Sequence, residues 1–262
     1  AAEHNLKDID VRLPLRRLVC VTGVSGSGKS TLIQDILYPA LRKHLGLPGE
    51  APGRHRGLEG FKGLTGVEMV DQSAIGRTTR SNPASYVGAW DAIRARFAQA
   101  ELSRQRGYTA GTFSFNSGNG RCPTCGGTGF QHIEMQFLSD VYLRCPDCQG
   151  QRYLPEVLEV RLEDGRSIAE VLDLTVAEAC RVFADDAVLL AALEPLQAVG
   201  LEYVRLGQPV TTLSGGEAQR LKLAGHLGKI TGRQSGGPKL LLLDEPTTGL
   251  HFQDIERLLQ AL

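Results

Sequence analysis

The stretch TGVSGSGKST, Thr22 to Thr31, decides the fold class. Gly23 to Ser30 fit the pattern G-x-x-x-x-G-K-[ST], and the apolar run LVCV stands directly before it. An apolar run bounded by glycine reads as a buried strand. A glycine-rich loop can curl until successive backbone N–H groups point inward at an anion. The following segment, STLIQDILYPALRKHL, has apolar residues at helical spacing, which sets the anion on a helix N-terminus. Gly23, Ser25, Gly26, Gly28, Lys29, Ser30 and Thr31 are therefore the candidate phosphate-binding residues. Lys29 is expected to reach the β- and γ-phosphates and the Ser30 hydroxyl to ligate Mg²⁺.

A second run, KLLLLDEP, reads as a buried parallel strand ending in Asp244 and Glu245. Acids at the C-terminal end of a central strand lie where α/β sheets bind ligands. Asp244 is expected to hold Mg²⁺ and Glu245 to orient and deprotonate an attacking water. In LSGGEAQR, Leu213 to Arg220, Ser214 and Glu217 form a capping box. Gly215 and Gly216 are poor helix formers in that first turn, and their use is to bare N–H groups to a phosphate. Two phosphate-seeking helix starts in one chain imply two nucleotides, the second shared with a partner domain.

Four of the six cysteines form two C-x-x-C pairs, Cys122/Cys125 and Cys145/Cys148, with nineteen residues between them. This is a zinc spacing, and four thiolates close a tetrahedral structural site. Two disulfides or a redox C-x-x-C are the competing readings. Cys20 and Cys180 read as core residues.

The 262 residues suffice for one large or two small domains. No stretch approaches the ~18 apolar residues of a membrane span, and no secretory signal opens the chain. Net charge is zero, yet from Ala74 to Arg121 seven arginines face only Asp91 and Glu101. Such a window can bind a polyanion or be a solvated face. Its candidate polyanion-binding residues are Arg77, Arg80, Arg104, Arg106 and Arg121.

Along the chain, NLKDIDVRLPL and RLVCVT read as strands, and VEMVDQ as a short strand ending at Gln72. ASYVGAWDAIRARFAQAEL reads as helix. Ser167/Glu170 and Thr175/Glu178 are capping boxes opening two more. The expected organisation is residues 1–75 as the first part of a phosphate-binding core and 76–212 as an inserted subdomain with the zinc module at about 110–153. Residues 213–262 follow with the helix opened at Ser214, the acidic strand and the TTGLH stretch.

GVSGSGKS, LSGGEAQR, LLLLDEP and TTGLH together resemble the Walker A, signature, Walker B and D-loop motifs of ATP-binding-cassette ATPases. VDQSAIGRTTRSNPASY, FSFNSGNGRCPTCGGTGF, CQGQRYLPEVLEV and YVRLGQPVTTLSGGEAQRLKLA narrow the resemblance to the bacterial UvrA family, over nearly the whole chain and in order. The second, C-terminal cassette is the part resembled. This implies an α/β P-loop ATPase core of the ABC type, with a helical signature subdomain and an inserted four-cysteine zinc module.

The resemblance further implies ATP, Mg²⁺ and Zn²⁺ as cofactors, and catalytic roles for Glu245, Gln72 and Lys29. Ser214, Gly215 and Gly216 would contact the γ-phosphate held mainly by the other cassette. Implied partners are damaged double-stranded DNA, the other cassette, a second copy in a homodimer, and UvrB through a region absent from this chain. The implied setting is nucleotide excision repair in the bacterial cytoplasm, with no membrane. Cassette ATPases carry a histidine on a strand beyond the D-loop; the chain stops at Leu262, and His251 belongs to the D-loop stretch. A fragment that is nearly inactive alone is therefore expected. The divergent Gly/Pro/Arg loop at 46–63 points to a UvrA-like paralogue in DNA-drug tolerance as the alternative. A transporter motor would lack the embedded knuckle, and a J-domain-type zinc module, suggested by CPTCGGTG, would lack the ATPase motifs.

Overall fold

The computed structural model describes residues 1–73, 75, 80–133, 141–231, 237–248, 250 and 252–262. The chain divides into two compact units, 1–72 with 229–248 and 262, and 73–228 with 249–261.

In the first unit the phosphate loop leads into a π-helical segment, Thr31–Leu37, which continues directly as α1 (Tyr38–His44). Ile36, Leu37, Ala40 and Leu41 recur on one helical face and are buried. Arg42, Lys43 and His44 fill the last turn, where cations suit the helix dipole. The buried face meets a two-stranded parallel sheet of β1 (Gly66–Val70) and β4 (Lys239–Leu243), with Val67 and Leu242 at the centre of the shared core. The register runs from Gly66↔Lys239 to Val70↔Leu243.

The two strands expected within 5–22 do not form. Residues 1–30 contain no strand, and Leu18 and Val24 are 70% and 79% exposed. An apolar run becomes a strand only where neighbours accept its ladder, and among the described residues β1 and β4 pair only with each other. The N-terminal segment is held instead by scattered bonds: Arg54 N–H donates to Glu3 Oε2 (2.6 Å), Ala2 N–H to the Arg54 carbonyl (2.8 Å), and Asn5 Nδ2 to the Gly26 carbonyl (2.8 Å).

The second unit is largely helical. Its elements are α2 (Pro83–Tyr86), α3 (Ala89–Gln99) and α4 (Glu101–Arg106), then β2 (Phe130–Ile133) and β3 (Val141–Arg144), which pair antiparallel. α5 (Pro155–Leu158), α6 (Ile168–Asp173), α7 (Val176–Val182), α8 (Ala187–Ala198) and α9 (Gly215–Thr231) follow, and α10 (Phe252–Ala261) closes it. The expected single helix over ASYVGAWDAIRARFAQAEL is three, broken at Gly88 (φ 82°) and at extended Ala100. Trp90, Ile93 and Phe97 form the buried stripe of α3, and α3 packs on α8. Trp90 lies against Phe115 and Phe97 against Phe113 at ring separations of 5.1 and 5.5 Å. Two of the three sequence-marked capping boxes open helices here: Ser167 with Glu170 opens α6, and Thr175 with Glu178 opens α7. Among the described residues no helix is long and apolar enough to cross a membrane.

Candidate functional site

The phosphate loop is built by backbone geometry that its glycines permit. Gly28 has φ 96°, and a Cβ there would lie 2.7 Å from Leu6 Cδ2 and 3.0 Å from Asn5 Oδ1. Only glycine avoids both the left-handed penalty and that clash. Lys29 Nζ donates to the carbonyls of Gly23 and Val24, each at 2.9 Å. The ammonium thus spans the mouth of its own loop, and phosphate oxygens could replace the two carbonyls. Ser25, Gly26 and Ser30 are exposed, while Thr31 is half-buried where the helix begins.

The acidic strand end lies in the same unit. The Asp244 N–H donates to the Val70 carbonyl at 3.1 Å, extending the ladder one step past Leu243. Gln72 and Glu245 each stand two residues beyond the paired Val70 and Leu243, and both are exposed. Glu245 has φ 45°, a conformation rare for a non-glycine residue. It is secured by the Thr248 N–H on its carbonyl (3.1 Å) and the Thr248 hydroxyl on Oε2 (3.2 Å). Strain at a polar strand end is a recurrent mark of functional sites.

In the second unit the signature segment forms its capping box. The Ser214 N–H donates to Glu217 Oε2 (2.8 Å) and the Glu217 N–H to Ser214 Oγ (3.3 Å). Ser214 and Gly215 are exposed and Gly216 is half-buried, so the start of α9 is open to a ligand. The Tyr203 hydroxyl donates to Glu217 Oε1 at 2.7 Å and accepts from Arg220 Nη2 at 3.2 Å. Burial raises the Glu217 carboxyl, but hydrogen bonds from Ser214 and Tyr203 and the Arg220 charge outweigh it, and the net shift is downward.

Cys122, Cys125, Cys145 and Cys148 converge with all four sulfurs within 4.8 Å of one another. Cys122 Sγ lies 3.9 Å from Cys145 Sγ, and Cys125 Sγ 3.6 Å from Cys148 Sγ. A disulfide needs about 2.05 Å, which removes that reading. A zinc tetrahedron with Zn–S of about 2.3 Å has edges near 3.8 Å, which these separations fit. Backbone N–H groups aim at the sulfurs, including Gly129 N–H on Cys125 at 3.3 Å. Gly127 permits the turn: its φ is 86°, and a Cβ would fall 2.3 Å from the Phe115 carbonyl oxygen. Burial pushes the Cys148 thiol up to about 12, so a metal ion binding there must displace its proton.

The chain is 55% identical over all 262 residues to the UvrABC system protein A of Methanothermobacter thermautotrophicus and to that of Micrococcus luteus. The chain belongs to the UvrA family. It spans about a quarter of those relatives, 27% and 26% of their lengths. The crystal structure of UvrA2 from Deinococcus radiodurans superposes with a TM-score of 0.78 at 50% identity, over 91% of this chain and 28% of that one. No family model matches.

Within this UvrA-family chain the arginine window is more engaged than its composition suggests. Arg106 donates to the Glu156 carbonyl (2.7 Å) and pairs with Glu159. Arg94 pairs with Asp91, and Arg96 with Asp185. Arg80, Arg104 and Arg121 donate to backbone carbonyls of Gly126, Gln99 and Asn116, and among the described residues none of the three has an ion pair. Arg77 lies outside the described residues. Sequence reasoning missed Asn5, Tyr203, Arg220 and Arg152. Each acts through a contact 17 to 55 positions away, except Tyr203, whose Glu217 partner is 14 away, and no local pattern marks such partners.

Proposed function

We propose that the chain is the second, C-terminal ATP-binding cassette of a UvrA-family protein that recognises damaged DNA in nucleotide excision repair. The observation that carries this is the Lys29 ammonium spanning a glycine loop at a helix start, in a chain that is UvrA-like from end to end. Residues 1–75 supply the loop and Gln72, 76–212 the inserted signature subdomain with its knuckle, and 213–262 the signature helix and the acidic strand.

Gly23, Ser25, Gly26, Gly28, Lys29 and Thr31 bind the ATP phosphates in this reading, and Ser30 with Asp244 holds Mg²⁺. Glu245 takes the proton of the attacking water, with Gln72 orienting it. Ser214, Gly215 and Gly216 meet the γ-phosphate on the other cassette. Zinc, when bound, supplies a structural crosslink through four thiolates and no chemistry of its own. The knuckle and the arginine window face damaged double-stranded DNA. A homodimer, UvrB bound elsewhere in the protein, and a cytoplasmic location complete the proposal.

The test is DNA-stimulated ATP turnover and lesion-containing DNA binding by the full-length protein and its Lys29→Ala variant. The reading expects turnover that DNA stimulates and the variant abolishes. Turnover indifferent to both would overturn it. Likeness to UvrA2 supports a paralogue as the second reading, with the same chemistry in a drug-tolerance setting. Rescue of a strain lacking its main UvrA, present or absent, separates the two.

A further inference from the structure

Arg152 is buried, only 5% exposed, in a protein whose other arginines lie mostly at the surface. A guanidinium cannot shed its proton, so this one carries its charge into the interior. Its Nη2 donates to the Gly207 carbonyl at 2.7 Å, 55 positions away. Its plane lies over the Phe115 ring, 5.2 Å from the centroid. Among the described residues its Nη1 has no hydrogen-bond partner. Buried cations without an anion are strongly disfavoured.

Two anionic groups act on it: the Asp173 carboxylate and the cysteine cluster, through Cys125 and Cys148. The Arg152 carbonyl accepts from the Cys122 N–H at 2.8 Å, and the Arg152 N–H points at the Cys148 sulfur. Its side-chain stem packs on Gly129, where a Cβ would sit 3.2 Å from Arg152 Cγ. Four thiolates around a divalent zinc leave a net charge of about −2, which suits a neighbouring buried cation.

On its other side Arg152 grips the approach to the signature segment. The Gly207 N–H donates to Leu172 O (2.7 Å), the Val210 N–H to Ser81 O (2.9 Å) and the Leu213 N–H to Val210 O (3.2 Å). Little slack separates Gly207 from Ser214. We propose that Arg152 is a positioning residue that balances the charge of the zinc–thiolate centre and, through Gly207, ties that centre to the segment presenting Ser214. Metal occupancy on the DNA-facing side is thereby linked to the geometry of the γ-phosphate contact. This rests on the zinc and signature roles proposed above.

The experiment uses full-length protein loaded with zinc. Zinc content is measured first; a wild type that retains no zinc defeats the metal reading itself, and the inference with it. With zinc bound, release to a chelator and amide exchange over 206–213 are followed in wild type, Arg152→Gln and Arg152→Lys. Arg152→Gln, which loses the charge, is expected to release zinc at least about tenfold faster and to expose those amides. Arg152→Lys keeps the charge but loses the planar fork, so it should hold zinc and still lose protection over 206–213. Stripping zinc from wild type should deprotect 206–213 while α8, around Leu189–Leu196, stays protected. If 206–213 keeps its protection after stripping, or α8 opens equally, the link is absent and the proposal fails. Wild-type zinc release in Arg152→Gln overturns the charge role. Should that variant not fold, Arg152→Lys and the stripped wild type still decide the link.

Discussion

The Asp244 N–H donates to the Val70 carbonyl one step beyond the last strand pairing, and Gln72 and Glu245 each follow two residues past the paired Val70 and Leu243. In the proposed reading, a glutamine and a carboxylate just past the ends of adjacent strands supply a hydrogen-bond donor and a base for one water. Glu245→Gln keeps the shape and removes the base. The expected outcome in the full-length protein is intact nucleotide binding with steady-state ATP turnover lower by about 10²-fold or more. Unchanged turnover would place the base elsewhere.

Lys29 contributes its ammonium to the loop carbonyls and little to the core, which centres on Leu37, Leu41, Val67 and Leu242. Lys29→Ala is expected to weaken ATP binding strongly while zinc content and thermal midpoint remain near wild type. Calorimetric titration with ATP, beside metal analysis, checks both halves. Gly28→Ala has a different signature: the added methyl meets Leu6 and Asn5, so it should lower stability as well as affinity.

Much of this was legible because the carrying patterns are contiguous. The phosphate loop, the three capping boxes and the paired cysteines each sit within a few residues of one another, and local spacing fixes their geometry. The expected strands at 5–22 were not legible in the same way. LVCV is apolar enough for a buried strand, but a strand is a relation between segments, and its partner cannot be read from the run itself. KLLLL illustrates the point from the other side: it does form β4, beside β1, yet of its leucines only Leu242 is buried. Arg152 on Gly207, Asn5 on Gly26 and Arg106 on Glu159 are likewise long-range contacts that no periodicity announces.

Tyr203 stands between Glu217 and Arg220 and holds the first turn of the signature helix. Tyr203→Phe removes both hydrogen bonds at almost constant volume, and a stability loss of about 1 kcal/mol is expected. The Glu217 carboxyl is shifted down from 4.5. An unfolded glutamate then binds a proton before the folded one does. Its contribution is present above the unfolded value and is lost as pH falls through the folded one. Denaturant titrations between about pH 6 and about pH 3 should therefore show a steeper acid loss in wild type than in Glu217→Gln. Parallel curves would remove Glu217 from the account.

The arginine window yields the most discriminating prediction, because the structure divides it. Arg106 is tied to Glu159 and the Glu156 carbonyl, so reversing its charge breaks a structural contact. Among the described residues Arg104 and Arg121 hold only the carbonyls of Gln99 and Asn116, five residues away in each case, and no ion pair takes up their charge. If this face meets DNA phosphates, each such arginine displaces a counterion on binding. Arg104→Gln and Arg121→Gln should then each weaken binding to duplex DNA and lower the slope of log affinity against log salt by about 1. Arg106→Gln should chiefly lower the thermal midpoint and leave the slope nearer its wild-type value. The measurement is fluorescence anisotropy on lesion-containing and intact duplexes across a salt series. Slopes unchanged in both Arg104 and Arg121 variants would mark the window as a solvated helical face, and the DNA surface would have to be sought elsewhere on the chain.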